Sequence, residues 1–306
     1  MSDIKKNIEH SVFQRLLNYA KSNHEDFNLL LTRYGMERLL YRLSTSAYSD
    51  NFILKGASLF LVWSGQNYRV TRDVDFLGQG NSDMDNLAGI FKELCAQESS
   101  VSDGIIFLPV SVKVQEIRKE IKDGGTRITL IAMLHNARIP LQIDVGFGNV
   151  ITPASEVVEY PTILDAPAPK LMAYPHYTMI SEKLSAMVER GLATSRMKDF
   201  YDICLVSRLF EFDGKILGQA IRNTFARQNI ALPESTPISF TAYFYEDKNK
   251  LIQWQSFLRK AQSKVILGEL ASVVKEISRF ISPILNSIRT KNDFTKQWKP
   301  EEGWVD

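Results

Sequence analysis

The chain of 306 residues has no uninterrupted apolar run near the ~20 residues that a membrane-spanning helix requires. Its N-terminal segment, MSDIKKNIEHSVFQRLL, is polar and amphipathic and lacks the apolar core of a signal peptide. Cysteine is scarce: Cys95 and Cys204 are the two present, which argues against a disulfide framework and indicates a reducing compartment. We therefore expect a cytoplasmic protein with no membrane partner.

Several catalytic signatures are also missing. The four histidines and two cysteines show no metal-ligand spacing, so no zinc site is predicted. The chain has no Gly-x-Ser-x-Gly motif, no P-loop lysine motif and no dinucleotide fingerprint. These absences argue against a serine hydrolase, a P-loop NTPase and a Rossmann-type dehydrogenase.

The composition, with 44% hydrophobic and 24% charged residues, is that of an ordinary globular protein. Its net charge of +2 is unevenly distributed. Residues 1–164 carry 17 basic and 19 acidic side chains, whereas residues 165–300 carry 20 and 13. A basic second half suits a polyanionic partner, although a solvated helical surface explains the charge alone equally well.

The periodicity of apolar residues predicts an α+β fold, with a mixed sheet and helices in the first half. The expected elements there are helices within 8–45, at 57–64 and at 83–97, and strands at 52–55, 73–77, 111–117, 127–133 and 139–145. Prolines cluster at 153–175 and mark the best domain boundary. After them the spacing predicts helices at 178–189, 197–210, 214–228, 240–264 and 267–288. We therefore divide the chain into a mixed-sheet domain at 1–155 and a helical domain at 156–306.

The run from Phe52 to Phe76 carries the strongest chemical signal. A short strand ends in the turn Lys55-Gly56-Ala57-Ser58, and a second strand holds Asp73 and Asp75. Carboxylates at i and i+2 on a strand point to one face, where they repel each other unless a cation lies between them. Free N–H groups in a glycine turn can hold phosphate. The combination indicates a nucleoside triphosphate site, whereas the acidic pair alone would fit a solvated strand edge equally well.

Asp144 lies between Ile143 and Val145 in an otherwise apolar strand. A buried carboxylate requires a partner, which is either backbone in a turn at Gly146 or a cation. If Asp144 faces Asp73 and Asp75, three carboxylates can bind two divalent ions about 3.5–4 Å apart. Magnesium is the expected ion, because it prefers oxygen ligands shared with substrate phosphates.

The helical half adds a lysine and two acids. Lys183 lies beside the apolar face of its helix, where it either extends along that face to solvent or binds a phosphate. Asp199 and Asp202 share one face of the next helix, and Lys198 lies four residues before Asp202. An intrahelical Lys198–Asp202 pair, or a partner such as Arg196, Lys183 or a bound base, would satisfy these acids.

These residues resemble one known family, the AbiEii/AbiGii nucleotidyltransferase toxins of bacterial toxin–antitoxin and abortive-infection systems. The family's opening motif is similar to Leu54-Lys55-Gly56-Ala57-Ser58-Leu59-Phe60 followed by Arg69-x-Thr71-Arg72-Asp73-Val74-Asp75-Phe76. Its downstream motifs are similar to Glu182-Lys183 and to the run from Arg196 to Asp202, in the same order. The resemblance covers about residues 50–210 and implies a DNA polymerase β-like fold.

The resemblance also implies roles for individual residues. The implied metal ligands are Asp73, Asp75 and Asp144; the implied phosphate lysine is Lys183; and the implied essential acid is Asp202 or Asp199. The implied nucleotide-binding residues are Lys55, Gly56, Ala57, Ser58, Arg72, Lys183, Arg196 and Lys198. One departure from the wider superfamily is visible, because Ala57 replaces the residue after the turn glycine. Either the hydroxyl of Ser58 or backbone N–H groups alone would then contact phosphate.

The implied function is Mg²⁺-dependent transfer of a nucleotide from an NTP to an acceptor hydroxyl, by a toxin that has a cognate antitoxin. The MenT-type relatives of this family modify the 3′ acceptor end of tRNA, so tRNA is the expected acceptor. Two alternatives remain open. One is a small-molecule nucleotidyltransferase of the aminoglycoside-modifying kind, and the other is a catalytically inactive module that binds an antitoxin or RNA.

Overall fold

The computed structural model describes residues 2–66, 68–100, 102–117, 125–263 and 265–306. Its contacts divide the chain into two compact units. The first unit comprises Met1–Asn67, Thr71–Gly148 and Glu156–Ala173. The second comprises Tyr68–Val70, Asn149–Ser155 and Tyr174–Asp306. Residues 156–173, which the sequence analysis assigns to the helical domain, therefore group with the first unit.

The first unit combines four helices and eight strands within the described residues. The helices are α1 (Ser2–Asn23), α2 (Phe27–Ser44), α3 (Ser58–Ser64) and α4 (Met84–Ala96). The strands are β1 (Phe52–Lys55), β2 (Asp73–Gly78), β3 (Ile105–Phe107), β4 (Lys113–Ile117), β5 (Gly125–Leu134), β6 (Ala137–Phe147), β7 (Glu156–Glu159) and β8 (Lys170–Ala173). The periodicity did not predict β3, β7 and β8, because strands of three or four residues show too few alternations. β1 is equally short, but the glycine turn that ends it marked its position.

These strands form one mixed sheet in the order β3-β5-β6-β2-β1-β8-β7, with β4 also paired to β5. At its centre, β2 runs parallel to β6 and antiparallel to β1. Side chains alternate between the two faces of a strand. On β2, Val74 and Phe76 are buried, and on β6 the buried residues include Ile143 and Val145. The residues between them therefore point to the opposite face, which is where the acidic side chains lie.

Aromatic contacts and one glycine allow the helices of this unit to pack closely on its sheet. The ring of Phe52 meets those of Phe76 and Phe91 edge to face, with centroids 5.6 and 5.7 Å apart. Gly35 allows α2 to approach the sheet closely, since a Cβ there would lie 3.2 Å from Leu141 Cδ2. The sheet face that carries Phe76 is thus covered by helices.

The second unit is largely helical. Its helices are α5 (His176–Arg190), α6 (Met197–Leu209), α7 (Gly214–Gln228), α8 (Ala242–Tyr245), α9 (Lys248–Ala261) and α10 (Leu270–Arg289). Three short strands, β9 (Phe212–Asp213), β10 (Gln297–Lys299) and β11 (Gly303–Val305), form a small sheet that the sequence analysis did not predict. The helix predicted at 240–264 is divided, because the Asp247 side chain accepts a hydrogen bond from Lys250 N (3.0 Å) and caps the start of α9.

The predicted fold class is confirmed: a mixed sheet with helices forms the first part, and helices dominate the C-terminal part. The apolar stripe of α10 is buried along its length, as the spacing predicts. Every helix in the described part of the chain is too short or too polar to span a bilayer.

A buried ion pair on α2 holds the connection between β7 and β8. Glu37 and Arg38 are 1% and 0% exposed, with Glu37 Oε1 3.0 Å from Arg38 Nε. Glu37 Oε2 accepts a hydrogen bond from Ile163 N (2.8 Å), and Arg38 Nη2 donates to Pro167 O (2.9 Å). Burial raises the pKa of Glu37 to about 7, because Arg38 and the Ile163 N–H only partly offset the loss of solvation.

This raised pKa predicts a pH-dependent difference in stability between the wild type and Glu37→Gln. The folded state retains the proton that the unfolded state loses above pH ~4.5, so the wild type loses stability relative to Glu37→Gln as the pH rises toward about 7. The free energy of unfolding of the wild type, measured relative to that of Glu37→Gln, should fall by a total on the order of 3 kcal/mol over this pH range. Above about pH 7 the difference between the two proteins should no longer change. Chemical unfolding of both proteins between pH 5 and 8 measures it.

Glu98→Gln is the matched control, because Glu98 is exposed on the same unit. Its stability should remain parallel to that of the wild type. A constant difference between the wild type and Glu37→Gln across this range would contradict the prediction.

Candidate functional site

The structure brings Asp73, Asp75 and Asp144 onto one face of the first unit's sheet. Asp73 and Asp75 are alternate residues of β2, and Asp144 lies opposite Asp75 in the parallel register of β2 with β6. All three are partly exposed, whereas the intervening Val74 and Ile143 are buried. We call the three acids the carboxylate face. The geometry is what the alternation on two apolar strands predicts, once the register is known.

A residue that the sequence analysis did not identify supplies a countercharge to this face. Arg127 of β5 lies opposite Asp144 in the β5–β6 register, and its Nε and Nη2 donate to Asp144 Oδ1 and Oδ2 at 2.9 and 2.8 Å. The hydrogen bond to Asp144 raises the pKa of Arg127 against the opposing effect of burial, and the charges of Asp73 and Asp75 raise it further. Bidentate pairs of this kind are the stronger ion pairs in proteins. The sequence signal was weak, since it required the β5–β6 register.

Asp73 has two further neighbours. Thr71 Oγ1 donates to Asp73 Oδ1 at 2.7 Å, and Gln142 Nε2 lies 3.5 Å from Asp73 Oδ2. Gln142 is also the residue opposite Asp73 on β6. The Asp73 carboxylate is therefore oriented by hydrogen bonds from both sides.

The predicted phosphate turn lies against Asp75. Lys55 is in register with Asp75, and Gly56 follows with a positive φ of 79°. A Cβ at residue 56 would overlap the Asp75 carboxylate and would lie 2.9 Å from Asp75 Cβ. Glycine is thus required here by both the backbone conformation and the carboxylate that packs on it.

The other predicted residues of this turn differ in exposure. Ser58 is 3% exposed, and its hydroxyl donates to Lys55 O at 3.4 Å. Ala57 is buried beside it, whereas Arg72 is exposed. Of the two options for phosphate contact, the burial of Ser58 favours backbone N–H groups; nucleotide binding by these residues stays a prediction.

The second unit brings Lys183, Asp199 and Asp202 together. Lys183 Nζ donates to Asp199 Oδ1 at 3.0 Å and to Asp202 Oδ2 at 2.8 Å. Arg196 binds both oxygens of Asp199, and Arg69 binds both oxygens of Asp202. We call these five residues the ion cluster. The sequence predicts Lys183 and Arg196 as partners of the acids but not Arg69, which lies far away in the sequence.

Asp199, Asp202 and Lys183 of the ion cluster are buried, whereas its two arginines are partly exposed. The cluster remains charged. Burial acts to raise the pKa of Asp202, but Arg69 and Lys183 more than offset it and hold that pKa below its usual range. The pKa of Asp199 is lowered in the same way, against burial, by Lys183 and Arg196. Burial opposes the charge of Lys183 too, but the two carboxylates raise its pKa overall. A paired cluster of this kind stays ionised throughout the neutral range.

The structure thus resolves the alternatives for the acids of α6. Asp202 is paired with Arg69 and Lys183, and the exposed Lys198 lies on the solvent side of the helix. Lys183 is 9% exposed and is bound to both acids. The nucleotide-binding roles implied for Lys183, Lys198 and Arg196 stay predictions.

The carboxylate face also allows a test of whether the residues fit a metal ion. Across the described ranges, no three His, Cys, Asp or Glu side chains form a group that could hold one. Asp144 is bound through both oxygens to Arg127, so a metal ion would have to compete with a guanidinium for this acid, and its role as a metal ligand stays a prediction. Asp73 and Asp75 lie two residues apart on one face of β2 and are partly exposed. Magnesium is commonly bound by one or two carboxylates, with phosphate and water completing its shell. The donor set therefore fits a Mg²⁺ ion that shares ligands with a nucleotide.

Comparison with known proteins identifies a family whose model matches this chain. A family model described as the AbiEii nucleotidyl transferase toxin of type IV toxin–antitoxin systems matches residues 38–274, well over half of the chain. No curated protein matches the sequence. The crystal structure of JHP933 from Helicobacter pylori is similar at 14% identity and a TM-score of 0.46, covering 86% of this chain and 92% of that one.

A second H. pylori crystal structure, of a protein proposed to be a nucleotidyltransferase, is similar at 15% identity and a TM-score of 0.44. That match covers 86% of this chain and 95% of the other. At these values neither structure informs the reaction or the acceptor.

The close approach of Asp75 to Gly56 predicts that Gly56→Ala costs more stability than Gly65→Ala. Both glycines have positive φ, 79° and 69°, so each substitution carries a backbone strain of roughly 1–2 kcal/mol. Nothing lies within 4 Å of a Cβ at residue 65, whereas one at residue 56 overlaps Asp75. Gly56→Ala should therefore lose about 1–3 kcal/mol more in chemical unfolding. Equal losses for the two variants would show that Asp75 does not pack on Gly56.

Proposed function

Because the chain belongs to the AbiEii family of nucleotidyl transferase toxins of type IV toxin–antitoxin systems, we propose that its carboxylate face transfers a nucleoside monophosphate from an NTP to an acceptor hydroxyl. One observation carries the proposal: Asp73 and Asp75 share a sheet face, and Asp75 packs directly on the turn glycine Gly56. Groups suited to a metal ion and groups suited to a phosphate thus lie side by side in a single folded unit.

In the proposed reaction, the acceptor hydroxyl oxygen attacks the α-phosphorus of the NTP. A bond forms between that oxygen and phosphorus, and the bond from phosphorus to the bridging oxygen breaks. Pyrophosphate leaves, and the proton of the hydroxyl passes to water. The protein contributes by positioning the reactants and by neutralising charge. A triphosphate beside Asp73, Asp75 and Asp144 would be strongly repelled without a cation, which supports a metal ion as part of the site.

We assign Mg²⁺ to Asp73 and Asp75. When bound, the ion would neutralise phosphate charge and polarise the reacting oxygens. A second ion would require Asp144, which is paired with Arg127. Arg127 thus forms an ion pair with Asp144, the third carboxylate, and neutralises part of the negative charge of the carboxylate face.

Competition between Arg127 and the metal predicts that Arg127→Gln binds divalent cations more tightly. Removing the guanidinium frees both oxygens of Asp144 and deletes a positive charge near Asp73 and Asp75. The affinity for Mn²⁺, used as a spectroscopic probe of the Mg²⁺ site, should rise roughly tenfold in a titration without nucleotide.

Arg138→Gln is the matched control, since Arg138 is an exposed arginine on β6. It should bind Mn²⁺ like the wild type. Equal or weaker Mn²⁺ binding by Arg127→Gln would contradict the assigned competition.

We further propose that the acceptor is RNA, with the 3′ end of tRNA as the first candidate, and that a cognate antitoxin restrains the toxin in the cytoplasm. The basic excess of residues 165–300 supports a polyanionic acceptor. Three acids at the C-terminus, Glu301, Glu302 and Asp306, reduce this excess. The acceptor is therefore best identified by labelling.

Incubating the protein with Mg²⁺, total RNA and each α-labelled NTP in turn tests both proposals. We expect label in the small-RNA fraction, released when 3′-terminal nucleotides are removed. Asp73→Asn and Asp75→Asn should lower transfer by at least a hundredfold, because each removes a charged ligand of the assigned ion.

Asp85→Asn is the matched control, since Asp85 is exposed on α4 of the same unit. It should transfer like the wild type. Full transfer by Asp75→Asn would overturn the assigned site. Label that enters only small molecules would replace RNA by an aminoglycoside-type acceptor, and an absence of label with every NTP would indicate an inactive binding module.

A further inference from the structure

Tyr68–Val70 are three consecutive residues that lie just before β2 and include Arg69 of the opening motif. They belong to the second unit, although the chain on both sides of them belongs to the first. Each of the three is held by hydrogen bonds. The bonds run from Tyr201 Oη to Tyr68 O (3.4 Å), from Arg69 Nε and Nη2 to Asp202 Oδ1 and Oδ2 (both 2.9 Å), and from Val70 N to Ala261 O (3.0 Å). We call Tyr68–Val70 the anchor segment.

The ion pair is the strongest of these bonds. Asp202 is 0% exposed, and its two oxygens accept three charged hydrogen bonds, two from Arg69 and one from Lys183. An ionised carboxylate at this depth is tolerated only when it is paired. Removing Arg69 would leave Asp202 with Lys183, which it shares with Asp199. The anchor segment and the ion cluster therefore depend on each other.

Asp73 follows the anchor segment after two residues and is the first residue of β2. The pairing of β1 with β2 runs from Phe52–Gly78 to Lys55–Asp75, so β1 supports Asp75 but stops short of Asp73. Asp73 pairs with β6 through Gln142. Its position is thus fixed by one neighbouring strand and by the chain that precedes it. Thr71, between the anchor segment and Asp73, donates to the Asp73 carboxylate.

We propose that Asp202 is a positioning residue: its pair with Arg69 fixes the anchor segment and thereby orients Thr71 and Asp73 for nucleotide transfer. This inference rests on the proposed function and deepens it. It gives Asp202 an indirect role, in place of the direct catalytic role that the sequence resemblance implies, and it assigns a role to Arg69.

Kinetics of four variants distinguish the two roles. Arg69→Ala and Asp202→Asn should each lower kcat on the order of a hundredfold, the effect of a displacement of about 1 Å at a reacting group, with KM for the NTP changed less than about threefold. The double variant should be no more than about threefold worse than either single variant, because both changes break one link. Arg69→Lys, which keeps one charged bond to Asp202, should recover at least a tenth of the lost rate.

A direct role for Asp202 predicts a different pattern. Arg69→Ala would then retain nearly full kcat, while Asp202→Asn and the double variant would show the same large loss. Arg208→Ala is the matched control, since it breaks another bidentate pair of the second unit, with Glu276, away from the anchor segment. It should transfer at the wild-type rate.

Amide hydrogen exchange separates positioning from general unfolding and does not depend on activity. In Arg69→Ala and Asp202→Asn, exchange should accelerate at least tenfold in the peptide that covers residues 68–75, while α7 and α10 exchange as in the wild type. Unchanged exchange over 68–75 would overturn the inference, and so would equal acceleration in every helix of the second unit.

The same measurement distinguishes this inference from the proposed function. Asp75→Asn should lower transfer by at least a hundredfold without changing exchange in the anchor segment. If the wild type transfers no nucleotide, the proposed function fails. If transfer depends on Asp75 but not on Arg69, the positioning inference alone fails.

Discussion

The main constraint on this structure is that three carboxylates share one sheet face, where their mutual repulsion must be offset by positive charge. The parallel register of β2 and β6 sets Asp75 opposite Asp144, with Asp73 two residues away on the same face. Such an arrangement is unfavourable unless positive charge lies close by, and Arg127 supplies part of it from the neighbouring strand. Apolar residues on the opposite face bury the sheet against helices and keep the register fixed, so the fold holds together a set of charges that would otherwise separate.

The carboxylate face and the ion cluster both place acids close together, but positive charge is supplied to them in different ways. In the ion cluster of the second unit, both acids are buried and are bound by Lys183, Arg69 and Arg196. The carboxylate face is more open, and Gly56 lets the glycine turn lie directly on Asp75. Buried and paired acids suit a structural support, whereas an open acidic face beside a glycine turn suits exchange of a cation and a phosphate. This contrast supports the proposal that nucleotide transfer takes place on the carboxylate face.

Much of this could be predicted from the sequence, because the central strands are long and regular. Alternation over β5 and β6 and helical spacing over α5 to α7 specify those elements, and Asp144 was identified as an acid that needs a partner. What escaped prediction depends on contacts between residues that are distant in sequence. Arg127 required the β5–β6 register, and Arg69 is paired with a residue on α6. The strands β7 to β11 escaped because each has only two to four residues, so periodicity carries no signal there.

The central claim is that Asp73 and Asp75 bind a divalent cation together with the triphosphate of a nucleotide. A crystal structure of the protein with Mn²⁺ and a non-hydrolysable NTP analogue tests it most directly, since anomalous scattering locates the metal. We expect an anomalous peak about 2 Å from oxygens of both Asp73 and Asp75, and from a phosphate oxygen of the analogue. A metal and nucleotide bound elsewhere, with the carboxylate face holding neither, would contradict it.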